Sequence, residues 1–120
     1  MALAVLSGCT SLAQGGPAAR LQDVPSATPQ SVMANVLRGL RKCWFDGSGE
    51  YRSLAIADER DSYSNRPRVL LVDRGNPTGR PKLVAESYGP KARLDVYGPL
   101  ATPRRKAAIR RFGAGGTDCR

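Results

Sequence analysis

The residues best able to do chemistry in this chain are its arginines and lysines. Nineteen Lys and Arg face ten Asp and Glu over 120 residues, a formal charge of +9. The excess is not spread evenly. Residues 1–61 carry six of each sign, whereas residues 62–120 carry thirteen cations and four carboxylates. Arg66 and Arg68 flank Pro67, Arg74 and Arg80 lie in or beside a Gly/Pro turn, and Arg104, Arg105, Lys106, Arg110 and Arg111 crowd one predicted helix. Guanidinium groups recognise phosphate and carboxylate through charge and a fork of N–H donors. Association through such a face falls steeply with salt. These nine residues form the candidate anion-binding set. A merely solvated face of a basic protein would have the same composition, because net charge speaks to association and not to fold.

Other chemistries have less to work with. The chain has no histidine, which removes the usual general base near neutral pH and any Ser-His-Asp or Cys-His system. Asp46, Glu50, Asp58, Glu59 and Asp61 could supply a carboxylate pair for glycoside cleavage, but they fall in polar loops where solvated carboxylates are the norm. Gly113-Ala114-Gly115-Gly116 follows a helix, and a phosphate loop must precede one. Arg110-Arg111-Phe112-Gly113 shares residues with the strand signature of RNA-recognition motifs, yet lacks the aromatics that follow it there. No cysteine or acidic spacing suggests a metal site. The reading is a non-catalytic binding domain with no cofactor. The alternative is a cytosolic nucleic-acid-binding protein, since a +9 chain binds polynucleotides non-specifically by counterion release.

Leu6-Ser7-Gly8-Cys9, after the apolar run Ala2-Leu3-Ala4-Val5, resembles the lipobox of bacterial lipoprotein precursors. The resemblance covers only this N-terminal stretch. It implies that the Cys9 thiol receives a diacylglycerol group, that cleavage removes residues 1–8, and that the new amino group is acylated. Two or three chains make a stable anchor, where one gives only marginal binding. No Lys or Arg precedes Cys9, and the apolar stretch is short for a secretory leader, so the leader is expected to begin upstream of Met1. The implied location is the periplasmic side of the cell envelope. Thr10, in place of the aspartate that retains such cargo in the inner membrane, points to the outer membrane. Implied partners are the membrane itself, lipopolysaccharide, anionic lipid, or an acidic envelope protein. An oxidising periplasm would join the two remaining cysteines, Cys43 and Cys119, and closing so large a loop adds about 4 kcal/mol in the chain-entropy model. Two independent buried thiols are the alternative.

The elements that position these residues can be read from pattern. Residues 9–27, with Gly15-Gly16-Pro17 and Pro25, have the composition of a flexible tether with a reach of roughly 25 Å. Residues 28–120 form one small domain. Thr28 offers an N-cap ahead of Pro29, and Val32, Met33, Val36, Leu37, Leu40, Cys43 and Trp44 recur at helical spacing. Trp44 closes this core or covers the disulfide; were it exposed, it would be a candidate partner anchor. Four strands are expected at Tyr51–Ala57, Val69–Val72, Leu83–Tyr88 and Ala92–Tyr97. Val69–Val72 is apolar on both faces, as in a central strand covered on two sides. Short Gly/Pro/Asn connections require antiparallel pairing. Thr102-Pro103 opens a second helix to Phe112, with Ala107, Ala108, Ile109 and Phe112 on its apolar side. The fold class expected is α+β: an antiparallel meander of about four strands with an N-terminal and a C-terminal helix.

Overall fold

The computed structural model describes residues 27–47, 49–61 and 65–119. The lipobox, Cys9 and most of the tether lie outside them. Helix α1 spans Pro29–Gly39 and runs on without a break into a wider π-helical turn, Leu40–Phe45. Strands β1 (Leu54–Glu59), β2 (Arg68–Asp73), β3 (Leu83–Tyr88) and β4 (Arg93–Tyr97) follow, and helix α2 (Pro103–Gly113) closes the order. The sheet is a four-stranded antiparallel meander with strand order β1-β2-β3-β4. The α+β expectation therefore holds, element by element.

Local chemistry accounts for the helix starts. Thr28 Oγ1 accepts from the Ser31 backbone N–H at 3.0 Å, and Ser31 Oγ accepts from the Thr28 N–H at 3.0 Å. Two of the four orphan donors at a helix N-terminus are thereby satisfied, and Pro29 has no N–H to satisfy. Thr102 repeats the device for α2, accepting from Arg105 N. The end of the first helix is less ordinary. Asp46 N–H donates five residues back to Arg41 O at 2.8 Å, which widens the last turn and sets the directions of Cys43, Trp44 and Phe45.

Both helices pack on one sheet face. Met33, Val36, Leu37 and Leu40 of α1 and Ile109 and Phe112 of α2 meet Leu54, Val69, Leu71, Leu83, Ala85 and Val96. Full burial of each large side chain is worth about 1.5–3 kcal/mol, and this cluster is the main source of stability. The helices approach closely because Gly39 has no side chain: a Cβ there would fall within the Phe112 ring. The other sheet face carries a second apolar cluster, Leu70, Val72 and Val84, flanked by Ala55 and Ala57. Strand β2 is thus buried on both sides, as its unbroken apolar run implied.

Several bounds and one buried face differ from the expectation: β1 runs on to Glu59, β2 spans Arg68–Asp73, and α2 takes in Gly113. Strand β1 begins at Leu54 and not at Tyr51, because Arg52 N–H and Leu54 N–H donate to Gly49 O and Tyr51 O in consecutive turns. Strand β4 begins at Arg93 because Ala92 sits at φ 50°, the left-handed conformation that closes the β3–β4 hairpin. Ala107 is exposed, and the buried side of α2 is Ala108, Ile109, Phe112 and Gly113.

Cys43 and Cys119 are joined by a disulfide, with a Cα–Cα separation of 5.1 Å. The C-terminal segment runs beside α1. Asn35 Nδ2 donates to Gly113 O at 3.2 Å, Lys42 Nζ donates to Thr117 O at 3.1 Å, and the disulfide holds its end. No helix among the described residues is long and apolar enough to cross a membrane.

A candidate anion-binding surface

The nine sequence-selected cations do not form one surface. Arg66 and Arg68 belong to the sheet. On the face away from the helices, the strand register lines up Glu59, Arg68, Glu86 and Asp95 across all four strands, with Tyr88 opposite Arg93 in the next row. Arg68 Nε donates to Glu59 Oε1 at 2.6 Å, and this bond raises the guanidinium pKa. The Arg66 guanidinium lies 3.8 Å above the Tyr88 ring. Tyr88 Oη donates to Asp95 Oδ2 at 2.8 Å, which raises the phenol above its ordinary value, and Arg93 Nε stands 3.5 Å from Asp95 Oδ1. Three guanidiniums meet three carboxylates here, so the patch carries no net charge.

Arg74 and Arg80 sit in the β2–β3 connection. The Arg74 backbone N–H donates to Ser53 O at 2.8 Å and its Nη2 donates to Leu54 O at 3.3 Å, fixing the side chain against the start of β1. Arg80 is exposed.

The remaining five lie on α2, whose eleven residues include no carboxylate. Burial divides them. Arg105 turns inward: Nε donates to Tyr51 Oη at 3.1 Å, Nη1 to Leu100 O at 3.4 Å, and Nη2 to Glu50 Oε2 at 3.1 Å. The tyrosine bond, followed by Glu50, raises its pKa. Each of its three guanidinium nitrogens donates within the fold, which gives Arg105 a structural role apart from the anion-binding set. Arg104, Ala107 and Arg110 face solvent at intervals of three residues, with half-buried Lys106 and Arg111 beside them. The two outer arginines are about 9 Å apart along the helix axis. The side chains of Arg104, Lys106 and Arg110 have no ion-pair or hydrogen-bond partner among the described residues.

This arrangement works against the helix. Cations in a first turn oppose the macrodipole by about 0.3–1 kcal/mol each, and no acidic residue offsets Arg104 and Lys106 there. Lys106 and Arg110 add a like-charge i,i+4 pair, unfavourable by about 0.2–0.5 kcal/mol. Arg110 and Arg111, in the last turn, complement the dipole.

Two other sequence candidates find structural roles. Trp44 is only 7% exposed, stacked on Tyr51 with ring centroids 4.5 Å apart and edge-on to Phe112 at 6.2 Å. It closes the core and cannot serve as a partner anchor; the exposed large apolar side chain among the described residues is Tyr97. Of the carboxylates expected in loops, Asp58 and Glu59 instead end strand β1, paired with Val69 and Arg68, and most of the five are engaged. Glu50 binds Arg105 and Glu59 binds Arg68. Asp58 accepts two bonds from Arg60 at 2.8 Å, which hold its carboxyl below the usual range. No group of three or more metal-ligating side chains occurs among the described residues.

One feature escaped the sequence reading. A cleft of about 470 Å³ is lined by Phe45, Asp46, Gly47, Gly49, Tyr51, Arg52 and Arg74. Its two arginines are more than twenty positions apart, and only the β1–β2 register places them together. Comparison with protein-family models, curated proteins and solved structures finds no match.

Proposed function

We propose that this chain is a membrane-anchored, periplasm-facing lipoprotein, held at the outer membrane through Cys9, whose non-catalytic domain docks α2 against a phosphate-bearing membrane surface. The lipobox resemblance of Leu6–Cys9 supports the anchor, and the disulfide between Cys43 and Cys119 suits an oxidising compartment. One observation carries the docking surface: exposed Arg104 and Arg110 and half-buried Lys106 have no partner among the described residues, and the two cations of the first turn and the Lys106–Arg110 pair cost the helix stability. Anionic head groups would supply the missing countercharge, each basic residue near such a surface adding about 1 kcal/mol. A lipid anchor multiplies this modest attraction, because tethered binding is intramolecular.

The test uses the full chain with Cys9→Ser, so that no acyl chain contributes. Vesicles containing an anionic lipid should retain it at low salt and release it at roughly 0.5 M salt, whereas purely zwitterionic vesicles should not retain it. Retention by duplex DNA with none by anionic vesicles would overturn this reading in favour of nucleic-acid binding.

A further inference from the structure

We propose that the cleft between the end of the first helix and the start of β1 is a second, independent binding site, for a small organic carboxylate carrying a flat ring. The cleft volume, about 470 Å³, falls in the range of small-molecule pockets. Its apolar lining is aromatic. Tyr51 and Phe45 line it with centroids 6.0 Å apart, and Trp44 stacks on Tyr51 from within the core. This triad is rigid, because Arg105 holds the Tyr51 hydroxyl from the far side. Tyr51 and Trp44 are buried and Phe45 is half-buried, so a ring packed against Phe45 buries apolar surface on a support that is already ordered.

Its polar side chains are Arg52, Arg74 and Asp46. Arg74 is held by its bond to Leu54 O, and Arg52 lies on the same cleft. The Arg52 guanidinium folds against Gly49 so closely that a Cβ there would lie 2.7 Å from Nη2. Glycine at 49 therefore leaves open the space that this guanidinium occupies. Two guanidiniums on one cleft supply the N–H donors that a planar carboxylate accepts from. Asp46 is the carboxylate on the rim. Its charge disfavours a compact, multiply charged ion such as free phosphate and favours a single negative charge on a neutral body. The π-helical turn that ends at Phe45 places Phe45 on the cleft and Trp44 in the core against Tyr51, and such turns recur at functional sites.

The site shares no anion-binding residue with the stripe on α2, so either can fail alone. The test is amide chemical-shift titration of the full chain (Cys9→Ser) with benzoate, with acetate as the head group alone and benzyl alcohol as the ring alone. Saturable shifts are expected at Gly47, Gly49, Tyr51, Arg52 and Arg74, with both controls at least about tenfold weaker. R52Q and R74Q together should abolish the response, and G49A should weaken it while every charge remains in place. An unchanged Trp44 emission spectrum certifies that the variants are folded, since Trp44 is the only tryptophan. Benzoate binding no better than acetate, shifts gathered on α2, or equal shifts in the double variant would each overturn the site.

Discussion

The open face of the sheet and the outer side of α2 draw on the same basic half of the sequence and reach opposite electrostatic ends. On the sheet, Arg66, Arg68 and Arg93 meet Glu59, Glu86, Asp95 and the Tyr88 ring, and the register leaves no net charge. On α2, Glu50 neutralises Arg105 from outside the helix, and Arg104, Lys106 and Arg110 meet no carboxylate among the described residues. Positive charge in a sequence thus becomes a positive surface only where pairing fails. The sheet's cations serve the fold, whereas Arg104 and Lys106 in the first turn of α2 burden it.

The contrast can be broken most severely by releasing α2 from its support. Reduction of the Cys43–Cys119 bridge, or C43S/C119S, should cost up to about 4 kcal/mol, read as a lower urea midpoint in the presence of reductant. The sheet pairs are local and should keep their geometry, while the C-terminal segment leaves α1. Gly39→Ala attacks the same support from the core. The new methyl must displace the Phe112 ring, and overpacking of this kind costs about 1–3 kcal/mol; thermal denaturation measures it.

Neighbouring cations on α2 sharpen the comparison further, because their signs should differ. Arg105→Ala strands the hydroxyl and carboxylate that it bridges and should destabilise by about 1.5–3 kcal/mol, the range for hydrogen bonds to charged groups. Arg104→Glu places an acid where the dipole favours one and should stabilise by about 0.3–1 kcal/mol. Equal destabilisation by the two would show that the outer stripe is part of the fold after all. The smallest effects belong to the exposed pairs. Arg68→Gln should cost under about 1 kcal/mol. Asp58, held below its ordinary value by Arg60, stabilises the fold above the unfolded value near 3.9, and that contribution is lost as pH falls through the folded value. Asp58→Asn should flatten this acid limb slightly in a pH series of denaturation midpoints.

Much of the architecture was legible because it is written in local patterns. Thr28-Pro29 and Thr102-Pro103 marked both helix starts, Leu83–Tyr88 was read to the residue, and the apolar run Val69–Val72 announced a strand buried on two faces. What stayed hidden depends on tertiary register or turn geometry. Nothing in the local sequence of Arg68 says that Glu59 and Glu86 will flank it. Tyr51 reads as the start of a strand, yet consecutive turns carry it beneath Trp44. The candidate surface was legible in composition and not in detail: Arg105 and Arg110 look alike in sequence, and only burial separates a structural guanidinium from an exposed one.

The most direct measurement is anionic-vesicle retention of two variants with matched charge in the Cys9→Ser chain. R104Q/K106Q/R110Q removes three cations from α2, and R66Q/R68Q/R93Q removes three from the sheet, each lowering the formal charge of +9 by the same amount. The expected result is loss of retention in the helix variant, with retention and its salt dependence preserved in a folded sheet variant. Equal weakening of the two would mean that net charge alone drives association, and would contradict the assignment of the docking surface to α2.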